Sequence, residues 1–193
     1  MKRAIALVAV PALAFALAAC GDSGDSGGKG GSAPSPSASA TAAQAPHGDQ
    51  DVMFAQMMIP HHRQAVEMAG LAPSRASSAR VKTLAAGIEK AQAPEIEKMT
   101  GWLEAWGAPA AMTGMHHDMP GIMSDKDMTS LKALKGAAFD RAFLRMMIEH
   151  HQGAVTMART EIRSGRNPDA KALAASIVRT QSAEIATMRD LLK

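Results

Sequence analysis

From residue 51 onward, apolar side chains return every three or four positions, the spacing of a helix with one buried face. Two such stretches predict helices over about 51–71 and 76–106, and two more over about 139–163 and 168–192. Breakers separate the members of each pair: Gly70 to Ser74 in the first, Ser164 to Pro168 in the second. Gly165 suits a helix C-cap, and Asn167-Pro168 suits an N-cap followed by the first helical position. Connections this short make antiparallel neighbours. The intervening stretch, 107–138, is long enough to cross a bundle, and Ser124 with Asp127 predicts a capping box that opens a short helix ending near Lys135. Pro60 and Pro94 fall inside predicted helices and are expected to kink them. The expected fold is all-α: a ferritin-like four-helix bundle of two repeated helical hairpins joined by a long crossover.

The two hairpins share more than a pattern. Shifted so that Asp51 falls on Asp140, the chain matches itself without a gap, with about 21 identities between 51–104 and 140–193. Met57-Met58-Ile59 falls on Met146-Met147-Ile148 and His61-His62 on His150-His151. Gln92 falls on Gln181 and Glu95 on Glu184. Shared helical composition accounts for the Ala and Leu matches but not for those of His, Gln and Glu.

At about 100° per residue, Gln56, Arg63, Gln64 and Glu67 form the polar arc of the first helix, opposite Phe54, Met57, Met58, Ala65, Met68 and Ala69. His61 lies in the middle of the apolar arc and His62 at its side, and His150 and His151 repeat this. In the second helix Gln92 and Glu95 interrupt an arc of Val81, Leu84, Ala85, Ile88, Ile96, Met99 and Leu103, and Gln181 and Glu184 repeat that. Up to four His, two Glu and two Gln, with several Met, are therefore expected at the bundle centre. An unpartnered buried polar group costs about 2–7 kcal/mol, against a total stability of about 5–15 kcal/mol. The groups must bond one another, bind water or hold a cation.

Composition adds a leader. Met1-Lys2-Arg3 is followed by an apolar run to Ala19 and then the only cysteine, Cys20. That order reads as a signal peptide over 1–19 with a lipoprotein cleavage box, Cys20 being lipidated and holding the protein to the outer face of a membrane. The Gly-, Ser-, Ala- and Pro-rich stretch 20–50 reads as a flexible linker. The domain is then 51–193, divided into repeat one (51–106), crossover (107–138) and repeat two (139–193). With Lys2 and Arg3 removed, 19 basic residues face 18 acidic ones, and nothing points to nucleic acid. There is no tyrosine and aromatics are few, so the core is expected to be built of Ala, Leu, Ile, Val and Met.

The crossover carries Met112, Met115, Met119, Met123 and Met128 around His116-His117-Asp118, without a helical period. Thioethers suit copper(I), imidazole suits either copper oxidation state, and a thioether survives oxidising surroundings that a thiolate does not. The alternative is that these Met fill gaps between crossover and bundle.

The motif Met57-Met58-Ile59-Pro60-His61-His62, followed by Ala65-Val66-Glu67-Met68-Ala69, resembles a bacterial family catalogued as domain of unknown function 305. So does Met146-Met147-Ile148-Glu149-His150-His151 with its own Met157-Ala158, although Glu149 stands where the family motif has proline. The resemblance covers 51–193. It implies a ferritin-like bundle, usually exported, with some relatives implicated in copper binding or tolerance.

Three functions compete. A copper-binding protein for storage, buffering or delivery would use His61, His150, Met57 and Met146, then His62, His151, Met68, Met157, Glu95 and Glu184. Met112, Met115, His116, His117, Met119 and Met123 would form a weaker crossover site. Zinc or iron is the lesser expectation: a di-iron or di-manganese oxidase wants more inward carboxylates and a Glu-x-x-His pair that the chain lacks. The third reading is a non-metal interaction bundle with a hydrogen-bonded polar core. A second copy or another protein as partner stays open. No nucleophile triad and no phosphate loop is present, so the chain reads as a binding protein more than as an enzyme.

Overall fold

A computed structural model describes residues 46–110 and 119–193. Among them the chain is helical throughout, with no strand: α1 (Asp49–Gly70), α2 (Ala72–Arg75), α3 (Ala79–Ala105), α4 (Asp125–Ala133), α5 (Gly136–Ser164) and α6 (Pro168–Leu191). The four long helices fall where the apolar period places them, within about three residues at each end. α1 packs on α3, α5 packs on α6, and the hairpins meet through α1 and α5. Both helices that contain proline run on past it, through Pro60 in α1 and Pro94 in α3.

Local chemistry sets the ends. Ser78 and Asn167 hold equivalent N-cap positions and accept from the first-turn amides of α3 and α6. The Ser124–Asp127 capping box opens α4. One detail differs from the sequence expectation: part of the Gly70–Ser74 breaker is itself a helical turn, α2. Gly165 is the C-cap of α5, in an extended conformation. A side chain there would run into the Glu161 carboxyl, so close approach is what demands glycine.

The hairpins brace each other reciprocally. Asp51 at the start of α1 accepts from the backbone amides of Arg166 and Asn167 in the α5–α6 turn, at 2.8–3.1 Å. Its counterpart Asp140, near the start of α5, accepts from the amides of Ser77 and Ser78 before α3, at 3.1 and 2.9 Å, and from the Ser77 hydroxyl. Arg166 stands where Ser77 does and supplies no hydroxyl. There the second carboxyl is Glu161, fully buried, which bonds Asp51.

The apolar core forms two clusters. One gathers Phe54, Met58, Ile59, Met99, Leu103, Ala154, Met157 and Ile177. The other gathers Met68, Val81, Ile88, Phe139, Phe143, Met147, Ile185 and Met188, with Met123, Met128 and Leu131 from the crossover and α4. Along every long helix polar inward residues fall between the two: His61 and His62, Gln92, His150 and His151, and Gln181. The helical domain thus carries a buried polar belt between the two clusters.

Candidate functional site

At the centre of the belt, His61 from α1 and His150 from α5 lie ring on ring, with centroids 3.8 Å apart and planes tilted by 39°. Both are fully enclosed. Burial first, and the neighbouring imidazoles second, drive the His61 pKa down to about 3 and that of His150 well below its ordinary value. Both rings are therefore neutral, and each neutral ring carries one nitrogen lone pair.

The tautomer of His61 follows from its partner. Nε2 lies 3.1 Å from the carbonyl of Pro120, which can only accept, so Nε2 carries the proton and donates. The lone pair is then on Nδ1. Among the described residues His61 Nδ1 has no hydrogen-bond partner, and the His150 ring has none beyond a weak bond to the His61 backbone. Unmade bonds of this kind are costly in a protein interior and call for an explanation.

Two glycines bring Pro120 to the belt. A side chain on Gly153, inside α5, would strike the Pro120 carbonyl. One on Gly121 would come within 2.6 Å of the Glu149 carbonyl, and Gly121 also has φ +76°. The crossover therefore lies backbone against backbone on α5. At the position equivalent to Gly153 the first repeat has Gln64, which clasps Met123 by donating to its carbonyl (2.8 Å) and accepting from its amide (2.7 Å).

The outer histidines are differently placed. His62 Nε2 bonds Glu95 Oε2 at 2.7 Å, and His151 Nε2 bonds Glu184 Oε2 at 2.7 Å. Both imidazoles are buried, whereas the Glu95 and Glu184 side chains keep 19% and 24% of their exposure. These carboxylates sit at the rim of the belt, not at the bundle centre, and each already spends an oxygen on a histidine. Among the described residues no three His, Cys, Asp or Glu side chains converge into a cation cage.

Thioethers flank the belt on both sides. Met157 is buried and Met57 half-buried by the first cluster. Met68 is buried and Met146 half-buried by the second. Met119 is buried, and Met123 and Met128 pack into the second cluster, where core filling accounts for them. Met112, Met115, His116, His117 and Cys20 lie outside the described residues. Gln56, expected on the polar face, is buried because its amide donates to the Pro109 carbonyl at 2.8 Å. The sequence reading also passed over Gly153, although a glycine inside a helix is a signal of close backbone approach.

These features define a helical protein with a neutral, incompletely bonded imidazole pair at its centre. The chain belongs to the DUF305 family, a domain of unknown function, whose model matches residues 51–192. A DUF305 protein of Streptomyces coelicolor is 36% identical with a TM-score of 0.70, over 74% of this chain and 91% of that one. A DUF305 fragment from Deinococcus radiodurans gives the same identity and TM-score, over 76% of this chain and 97% of that one. CopM in its Cu(I)-bound form is 35% identical with a TM-score of 0.64, over 73% of this chain and 94% of that one, and CopM has also been crystallised with Cu(II) and with silver. No curated protein matches the chain. No helix among the described residues is long and apolar enough to cross a membrane.

Proposed function

We propose that this protein binds copper at the His61–His150 pair, with thioether support from Met57, Met157, Met68 and Met146, and that it stores, buffers or delivers the ion outside the cytoplasm. The observation that carries the reading is the pair itself: two neutral imidazoles in contact, with lone pairs that no described residue uses. A proton does not compete for them near neutral pH, and two nitrogens with nearby sulfurs suit a soft ion. The copper- and silver-bound forms of CopM add support at the level of the family. The carboxylates at the rim are too few, and too engaged with His62 and His151, to favour a di-iron or di-manganese oxidase.

The hydrogen-bonded-core reading fits the other half of the belt. The His62–Glu95 and His151–Glu184 pairs satisfy groups that would otherwise be buried unpaired, and they set the register of α1 on α3 and of α5 on α6. In this division of labour the outer pairs are architecture and the inner pair is the site. The whole belongs to a ferritin-like, duplicated four-helix bundle over 51–193, exported by the segment 1–19 and tethered through lipidated Cys20 and the linker 20–50.

The test is thermal unfolding with elemental analysis, after titration of the full protein with copper(I) and copper(II). Bound copper should raise the melting temperature, since a ligand held only by the folded state stabilises it. Replacing His61 and His150 with Ala should abolish most of that rise. Equal melting temperatures with and without copper would overturn the proposal.

A further inference from the structure

The two flanks of the belt are related by the sequence repeat, yet they are covered differently. On one flank Met68 shares a buried cluster with Met123, Met128 and Leu131, and Met146 packs against it. Lys132 of α4 reaches Glu67 at 2.6 Å, which ties α4 across that face. On the other flank the equivalents of Met68, Met146 and Glu67 are Met157, Met57 and Thr156, and they line an open pocket of about 230 Å³. Met53 stands at its edge, 40% exposed, the only exposed large apolar side chain among the described residues. Its counterpart in the second repeat is Ala142. Among the described residues α4 thus covers one thioether pair, and the other flank carries a third thioether.

The pocket adjoins the imidazole pair. Pro120 forms part of its wall and accepts the His61 hydrogen bond. Met53, Met57 and His61 follow one another at four-residue intervals on one face of α1, about 6 Å of rise per step. Along that line exposure falls from Met53 through half-buried Met57 to the fully enclosed His61. On α5, Met157 lies two turns beyond His150, on the same face.

We propose that Met53, Met57 and Met157 form an outer site for a soft monovalent cation, and that the ion reaches the His61–His150 pair from this flank. The proposal rests on the copper reading for the ion's destination but not for the outer site itself. Three neutral thioethers bind such an ion without charge or proton release, which suits a site that must pass its ligand on. Among the described residues no three His, Cys, Asp or Glu side chains gather there to hold a hard divalent ion.

The test is methyl NMR of the full protein with 13C-labelled methionine, titrated with silver(I), which does not change oxidation state under these conditions. The Met53, Met57 and Met157 methyls should shift at the first additions, and should still shift when His61 and His150 are both Ala. Met53→Leu, at an exposed position that leaves the core intact, should abolish the early shift of Met57 and Met157 and slow the response of the imidazoles, read in parallel from the histidine ring proton signals. Early shifts confined to Met68 and Met146, or a Met53→Leu protein that responds like wild type, would overturn the outer site and leave the copper reading standing. Uniform, unsaturated shifts of all exposed thioethers would overturn it equally. A protein in which neither thioethers nor imidazoles respond would bring down both.

Discussion

Glu161→Gln should abolish a pH dependence of stability that the α1–α5 joint imposes on the wild type. Glu161 is fully buried against Asp51, and one of its oxygens has no partner among the described residues. Burial first, then the hydrogen bond and charge of Asp51, raise its pKa from 4.5 to about 7, with Gln50 and Lys171 pulling weakly the other way. Asp51 stays ionised: burial works to raise its pKa, but the amides of Asn167, Gly48 and Arg166 and the bond from Glu161 outweigh it. Glu161 is thus the protonated partner, supplying the O–H that Ser77 gives Asp140 in the other repeat. Between pH 4.5 and about 7 the folded chain holds this proton while the unfolded chain releases it. The stabilisation is complete below 4.5 and is lost as pH rises through about 7. At about 1.4 kcal/mol for each tenfold difference in proton affinity, the loss is about 3 kcal/mol. The substituted amide would keep a donor for Asp51 and carry no proton to lose. Urea unfolding followed by circular dichroism from about pH 5 to 8.5 should show the wild type weakening by about 3 kcal/mol relative to Glu161→Gln. Parallel stability curves for the two proteins would refute the shared-proton assignment.

Three further outcomes follow from the same structure. Gly153→Ala should destabilise the fold by about 1–3 kcal/mol through collision with Pro120, and should weaken copper binding by displacing the carbonyl that sets the His61 tautomer; urea unfolding and copper titration read the two effects. His62→Ala and His151→Ala should each cost about 1–3 kcal/mol in urea unfolding by leaving a carboxylate without its partner, while copper stoichiometry by elemental analysis stays at the wild-type value. Asp140→Ala strips the amides of Ser77 and Ser78 of their acceptor and should cost at least as much, with hydrogen exchange rising first at the start of α3.

The Met146–Glu149 turn shows where the repeat stops being symmetric. Glu149 replaces the Pro60 of the first copy, and its carbonyl is one of the backbone groups on which Gly121 rests. Matching positions of the two halves therefore carry the belt, the braces and the caps, while the crossover makes the halves inequivalent. Among the described residues it packs with Met68 on one side, and Met157 lines a pocket on the other.

Local sequence sufficed for the helices, because apolar period and capping residues act over a few positions. The same period placed His61, His150, Gln92 and Gln181 inward, and the match between copies paired each with its counterpart. What no local pattern contains is which groups meet across helices. That Glu95 turns to His62, that His61 bonds Pro120 fifty-nine residues away, and that Glu161 is buried beside Asp51 all depend on how the hairpins and the crossover dock. A helical wheel gives the direction of a side chain but not the distance to its neighbour, and here that distance separates a structural histidine from an available one.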